Sequence, residues 1–180
     1  IKDFVDELQL KVDILINNAG FGVVGEVRNT NQENLQAMIQ LNIASLVTLS
    51  RLFLPAMLSR KYGHIVLVGS VNAYMPVPHF AVYSATKAFV KSFGEALAME
   101  CKGSGVTVTN VHPGATATEF ADTAQISLTD MMEKTFMKPS TVVQIGLNAT
   151  YRRSVSVITG LRNKLLVGVL WIAPPFLVRW

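Results

Sequence analysis

Short, almost continuous apolar runs alternate along the chain with longer segments that have helical periodicity. The runs 12–16 and 64–70 predict strands of a parallel sheet, because strands covered on both faces are apolar at nearly every position. A third strand is predicted at 105–112, ending at Pro113-Gly114. A fourth, shorter strand is predicted at 155–159. Helices are predicted between and around the strands, at 2–9, 30–60, 83–100 and 141–150. This alternation predicts one α/β domain over residues 1–180.

The long helix after the first strand has three notable features: a polar start, a proline and an asparagine on its apolar side. Thr30-Asn31-Gln32-Glu33 is predicted to open the helix as a capping box. Pro55 is expected to kink it before Arg60. Asn42 lies on the apolar side, where an amide is unfavourable unless it is hydrogen-bonded. It could simply tie two core carbonyls together.

Tyr83 and Lys87 are four residues apart on the next predicted helix, so their side chains lie on one face. An ammonium within ~4 Å of the phenol would attract the phenolate by about 4 kcal/mol at an effective dielectric near 20. We therefore expect Lys87 to lower the pKa of Tyr83 by up to ~3 units, less the effect of burial. Such a pair can act as a general acid or base, although Tyr-x-x-x-Lys alone is a weak signal.

Small and polar residues follow the predicted strands, at the sheet edge where open α/β sheets bind ligands. They are Asn17-Asn18-Ala19-Gly20, Ser70, Pro113-Gly114, Thr116 and Thr118. Ser70 is not in a Gly-x-Ser-x-Gly elbow, so a hydrolase nucleophile is rejected and a hydrogen bond to a substrate carbonyl is favoured. Ordinary turns and helix caps are the alternatives for the asparagines and threonines.

In their order and spacing, Asn17 to Gly20, Asn42, Gly69-Ser70, Tyr83 to Lys87 and Pro113-Gly114 with Thr118 resemble the short-chain dehydrogenase/reductase family. The resemblance implies a Rossmann-like, doubly wound parallel sheet and NAD(P)-dependent interconversion of a carbonyl and an alcohol. The family's Gly-x-x-x-Gly-x-Gly turn does not occur in this sequence, so we expect an N-terminally incomplete fold. The resemblance leaves the choice of cofactor open, with a slight preference for NADP.

The resemblance also assigns roles to individual residues. Tyr83 transfers the hydroxyl proton, Lys87 lowers its pKa and binds the nicotinamide ribose, Ser70 polarises the carbonyl, and Asn42 holds a water that leads to Lys87. The cofactor contacts implied in this way are Asn17, Asn18, Ala19, Gly20, Tyr83, Lys87, Pro113, Gly114, Thr116 and Thr118. A homo-oligomer formed through the Asn42 and Tyr83 helices is implied as well.

The last third of the chain suggests an apolar ligand. Residues 120–138 carry several methionines and phenylalanines, a pattern that fits either a flap over a hydrophobic substrate or a helix that covers the core. Within the apolar segment 161–180, residues 165–178 are uncharged but too short for an ordinary membrane span. This segment could lie in a membrane interface, or form a lid or dimer contact.

Composition narrows the remaining classes. Half of the 180 residues are apolar, which excludes a disordered chain, and the net charge of +4 is scattered, so nucleic-acid binding is not expected. Cys101 is the single cysteine and the histidines lack ligand spacing, so no metal site is predicted. Without a visible signal peptide we expect a cytoplasmic protein that binds a small molecule, with membrane association left open. The rival interpretations are a catalytically inactive fragment and a non-enzymatic interaction module.

Overall fold

The computed structural model describes residues 1–120, 124 and 136–172. Four strands in this part form one sheet in chain order: β1 (Ile14–Asn17), β2 (Gly63–Val68), β3 (Val106–His112) and β4 (Ser156–Ile158). Every neighbouring pair is parallel, with Ile14 opposite His64 and Gly63 opposite Val106. The predicted Rossmann-like parallel sheet is confirmed.

Six helices connect or follow these strands in the described ranges. They are α1 (Lys2–Glu7), α2 (Gln32–Ile39), α3 (Leu46–Ser59), α4 (Ala81–Glu100), α5 (Pro139–Tyr151) and α6 (Leu161–Ile172). A π-helical segment, Gln40–Ser45, joins α2 to α3, and short 3-10 helices span Val27–Asn29 and Val71–Tyr74. The predicted flap at 120–138 falls largely outside the described residues.

The main core lies between the sheet and helices α3 and α4. Its buried members are Leu46, Phe53, Met57, Ile65, Leu67, Val90, Leu97, Cys101, Val106 and Val108. The continuous helical stretch Gln32–Ser59 is long and apolar enough to cross a membrane by length and composition. Leu46, Phe53 and Met57 of this stretch pack in the core against the sheet. On the opposite face, α5 packs against β3, where Gly146 lies beside Val111.

The helix α2 begins differently from the sequence prediction. Asn31, rather than Thr30, is the N-cap: its Oδ1 accepts hydrogen bonds from the backbone N–H groups of Glu33 (2.7 Å) and Asn34 (3.3 Å). Thr30 Oγ1 instead donates to the Glu26 carbonyl at 2.9 Å. The predicted capping box is therefore wrong by one position, because asparagine caps a helix as well as threonine does.

The irregular part of this helical stretch surrounds Asn42 rather than Pro55. Pro55 lies inside α3, which continues to Ser59. The departure from α-helical hydrogen bonding is the π segment Gln40–Ser45, which contains Asn42. Short π segments in helices frequently occur at functional sites.

The β1 edge of the sheet carries exposed apolar surface. In the described part of the chain β1 pairs with β2 alone, and the Ile16 side chain is 52% exposed. Phe4 and Leu10 nearby in sequence are exposed as well. An edge of this kind is a template on which another strand can pair.

Candidate active site

The turn after β2 holds Ser70 at the carboxyl edge of the sheet. Gly69 N–H donates to the Val111 carbonyl at 2.8 Å, and Val71 N–H donates to the Pro113 carbonyl at 2.9 Å. These bonds tie the turn to the end of β3 on both sides of the serine. Ser70 Oγ accepts a hydrogen bond from Asn72 N–H at 3.1 Å and caps the short helix Val71–Tyr74.

Tyr83, in the first turn of α4, is brought to Ser70. The phenol is buried between aromatic rings, with centroid distances of 5.4 Å to Phe80 and 5.3 Å to Phe120. Burial raises the pKa of Tyr83 to about 12, while a side-chain hydrogen bond with Ser70 acts in the opposite direction. The Tyr83 hydroxyl is therefore close to the Ser70 side chain, and the phenol is neutral at ordinary pH.

Lys87 lies one turn further along α4 and is also buried. Its Nζ donates to the Val68 carbonyl at 2.9 Å and lies 5.7 Å from the centroid of the Tyr83 ring. Burial lowers the pKa of Lys87 to about 8. The expectation that Lys87 lowers the pKa of Tyr83 is wrong for this structure, because desolvation dominates at both residues and the ammonium binds a backbone carbonyl.

Asn42 is fully buried and braces the loop after β1 against α4. Its Oδ1 accepts from Phe21 N–H at 3.1 Å, while its Nδ2 donates to the Phe21 carbonyl at 2.9 Å and to Thr86 Oγ1 at 3.1 Å. Thr86 Oγ1 in turn donates to the Tyr83 carbonyl at 2.7 Å. The amide thus links the asparagine loop to the helix of Tyr83, although its partners are not the two carbonyls that were considered. Its role in holding a water stays a prediction.

The loop after β1 runs directly past Asn42 and Lys87. A Cβ at Gly20 would lie 2.9 Å from Asn42 Oδ1 and 3.5 Å from Lys87 Nζ. The neighbouring Asn18 and Ala19 are exposed. Asn17 donates from Nδ2 to Ser50 Oγ at 3.1 Å, and its buried Oδ1 has no hydrogen-bond partner among the described residues. This loop therefore offers exposed backbone beside the buried lysine.

The second predicted group of cofactor contacts, after β3, is engaged within its own turn. Thr116 Oγ1 donates to the Gly114 carbonyl at 2.9 Å, and Thr118 Oγ1 accepts from Phe120 N–H at 3.3 Å. A Cβ at Gly114 would lie 2.3 Å from Asn163 Nδ2, so this glycine makes room for an α6 side chain. No pattern in the sequence pointed to Asn163. Cofactor contacts by Pro113, Gly114, Thr116 and Thr118 stay predictions.

Sequence reasoning also missed a role for His112, the last residue of β3. The imidazole is fully buried, and a Cβ at Gly69 would lie 2.5 Å from its Nδ1. The Tyr74 ring packs edge-on at 5.1 Å. Burial lowers the pKa of His112 to about 4, and the Ser70 backbone acts against this, although neither ring nitrogen has a partner in strict hydrogen-bond geometry in the described ranges. His112 is thus a neutral side chain that packs against Gly69 in the turn of Ser70. Its position directly before Pro113-Gly114 was the available signal.

The sequence and the fold of this chain are similar to those of known dehydrogenases and reductases. The chain is 33% identical to the very-long-chain 3-oxoacyl-CoA reductase of Rattus norvegicus over 166 residues, which is 87% of this chain and 52% of the relative. It is 39% identical to the NADP-dependent 3-hydroxy acid dehydrogenase YdfG of Escherichia coli K12 over 113 residues, 62% of this chain and 46% of that protein. The chain spans about half the length of these curated relatives.

Among solved structures, a short-chain dehydrogenase from Sphingobium yanoikuyae in complex with NADPH is similar, with 31% sequence identity and a TM-score of 0.78. The match covers 93% of this chain and 68% of that one. The model of the family described as short chain dehydrogenase matches residues 1–128. That range contains β1 to β3 together with Ser70, Tyr83 and Lys87, and the chain therefore belongs to the short-chain dehydrogenase family.

Proposed function

We propose that this chain carries the acid–base residues of an NAD(P)-dependent oxidoreductase that interconverts a carbonyl and an alcohol. The observation that carries the proposal is the proximity of the Ser70 and Tyr83 side chains at the carboxyl edge of the sheet, with Lys87 buried one helical turn away. Two neighbouring hydroxyl groups can both reach one carbonyl oxygen. Ser70 polarises that oxygen and Tyr83 transfers the proton.

The protonation state of Tyr83 suits a proton donor in carbonyl reduction. With a pKa of about 12, Tyr83 is protonated at neutral pH and can donate its proton to an oxygen that becomes an alkoxide. Oxidation would require the phenolate, which burial disfavours. The bound dinucleotide would supply the hydride.

The residues around Lys87 fit the sugar end of such a cofactor. An ammonium has three N–H donors, and the Val68 carbonyl takes one of them. The loop of Asn18 to Gly20 is exposed, and a Cβ at Gly20 would lie 3.5 Å from Lys87 Nζ. We propose that Lys87 binds ribose hydroxyls and that Asn42, which also borders Gly20, holds the water that replaces the proton of Tyr83. NADP is favoured because two similar proteins are described with NADP or NADPH.

The surroundings of the phenol favour an apolar substrate. Phe80 and Phe120 pack against Tyr83, and a Cβ at Gly22 would touch all three rings. The Tyr83 ring is therefore surrounded by aromatic carbon. We propose a hydrophobic, lipid-like ketone or its alcohol as the substrate class.

A homo-oligomer is proposed through the outer face of α4. This face exposes the small side chains Ala81, Ala85 and Ala88, which allow close helix packing, and next to them Phe89, stacked on Phe93 at 5.9 Å. Measuring the molar mass in solution for the wild type and Ala85→Arg tests this proposal. A wild-type monomer would contradict it.

The catalytic assignment is tested by Tyr83→Phe, assayed by the oxidation of NADPH with hydrophobic ketones. Loss of the general acid should lower kcat by about 10²–10⁴-fold. Tyr62→Phe is the matched control, because it removes the same hydroxyl group from an exposed tyrosine at the opposite edge of the sheet. Turnover by a folded Tyr83→Phe protein at the wild-type rate would overturn the assignment.

A binding titration separates this proposal from the two rival interpretations. NADPH is titrated into the 180-residue chain and into a version extended at its N terminus by the corresponding segment of a family relative. Binding and turnover by the extended version alone would show that the catalytic residues need the additional segment. Binding by neither version would favour a non-enzymatic interaction module.

A further inference from the structure

Helix α6 is attached to the domain by one face and exposes an apolar stripe on the other. Leu161, Leu165, Val169 and Ile172 are each between 62% and 87% exposed. Their spacing of three or four residues places them on one side of the helix. On the opposite side Val167 is buried and Asn163 lies against Gly114. The stripe, defined by Leu161, Leu165, Val169 and Ile172, therefore faces away from the protein.

Positive charges border this stripe. Arg162 and Lys164 are both exposed, and at 100° per residue they lie on opposite sides of it. The helix Leu161–Ile172 contains no aspartate or glutamate. Trp171, also exposed, extends the apolar surface on the Lys164 side. Apolar residues flanked by cations on the surface of a helix are typical of helices that lie in a membrane interface.

We propose that α6 docks on an anionic membrane surface, with the stripe inserted and Arg162 and Lys164 at the lipid phosphates. The described part of the helix has 12 residues and is about 18 Å long. Because the stripe and its bordering cations run along one face, we place the helix along the surface. The long Arg and Lys side chains can bury their methylene groups and keep their charges at the headgroups.

The charges favour a membrane over a second copy of this helix. In a symmetric pair of α6 helices, the cations of one helix would meet the cations of the other, and α6 offers no carboxylate to neutralise them. An anionic lipid surface supplies the missing negative charge. Juxtaposed like charges oppose association, whereas anionic lipids attract each Lys or Arg.

Docking would bring the candidate active site close to the bilayer. Helix α6 packs against the short helix Val71–Tyr74, which directly follows Ser70, and Asn163 contacts Gly114 at the end of β3. The surface proposal does not depend on the proposed function, because vesicle binding is measured without cofactor or substrate. A failure of catalysis would leave it intact.

The test is flotation of the 180-residue chain with vesicles of phosphatidylcholine, with and without phosphatidylglycerol as the anionic lipid. The wild type should bind the anionic vesicles strongly and the neutral ones weakly. Val169→Glu should lower binding more than tenfold. Val143→Glu is the matched control, since Val143 is 57% exposed on α5 against 64% for Val169, and it should bind as the wild type does.

A second variant tests the charges without touching the stripe. Arg162→Gln combined with Lys164→Gln should weaken binding to anionic vesicles about fivefold per charge, or roughly thirtyfold together, and leave neutral binding unchanged. Circular dichroism checks that each variant is folded. The proposal is overturned if the wild type does not prefer anionic vesicles, or if Val143→Glu weakens binding as much as Val169→Glu. It is also overturned if the wild type is a dimer that does not bind vesicles and Val169→Glu dissociates this dimer.

Discussion

Burial of the Lys87 ammonium makes the stability of the fold depend on pH in a predictable direction. Its pKa falls from an ordinary 10.5 to about 8 in the folded chain because desolvation disfavours the charged form. The unfolded chain therefore binds more protons than the folded one between these two values. The contribution of Lys87 to stability is therefore greatest above pH 10.5 and is lost as the pH falls through about 8.

The size of the effect follows from the same two values. The fall from 10.5 to about 8 corresponds to about 3 kcal/mol at ~1.4 kcal/mol for each pH unit. Removing the ammonium should remove this dependence. We predict that the free energy of unfolding of the wild type rises by about 3 kcal/mol across this interval relative to that of Lys87→Met.

Urea denaturation followed by circular dichroism at several pH values across this interval measures the difference. Lys91→Met is the matched control, because Lys91 lies one turn further along α4 and its Nζ pairs with Glu95 at 2.9 Å. Burial also raises the pKa of Cys101, and this thiol is present in every variant, so its contribution cancels. The reasoning is refuted if Lys87→Met and the wild type show the same pH dependence.

Three further predictions concern the residues around the site. The alkaline absorbance change of Tyr83, isolated by subtracting the spectrum of Tyr83→Phe, should be centred near pH 12. It should move still higher in Ser70→Ala, and a midpoint near 10 would contradict the burial argument. Asn42→Ala leaves the Phe21 peptide groups without partners and should lower the free energy of unfolding by about 2–4 kcal/mol. If urea denaturation shows a decrease of less than about 1 kcal/mol, Asn42 does not brace the loop. Gly69→Ala pushes a methyl group against His112 and should cost about 1–3 kcal/mol, whereas Gly168→Ala, which meets no atom within 4 Å, should be neutral or stabilising.

The strands were predictable because a buried strand ends where its run of apolar residues gives way to small or polar residues. The run 64–70 is apolar until Gly69, and β2 ends at Val68. The helix of Tyr83 was predicted from apolar spacing and extends from Ala81 to Glu100. Details that depend on competition between neighbours were not predictable. Thr30 and Asn31 are both good caps, and which one caps α2 depends on the Glu26 carbonyl that binds Thr30.

The grouping of Ser70, Tyr83 and Lys87 was predictable, and the contacts around them were much less so. Ser70, Tyr83 and Lys87 do come together, because strand order and helical period bring their backbones to one edge. Two contacts depend instead on side chains that are far apart in the sequence. Asn163 fills the space left by Gly114, and the His112 ring fills the space left by Gly69. A glycine indicates that something approaches closely, but the identity of the approaching group comes only from tertiary packing.

The pKa of Tyr83 shows why the electrostatic part of the sequence argument failed. Two side chains one helical turn apart were treated as a pair at the dielectric of a protein surface, where attraction dominates. In the fold, the rings of Phe80 and Phe120 remove water from the phenol, and the Val68 carbonyl takes the ammonium. Desolvation then moves both groups toward their neutral forms, Tyr83 to about 12 and Lys87 to about 8. A phenol held in its protonated form beside a serine hydroxyl can act as a proton donor, and this is the role that we propose for Tyr83.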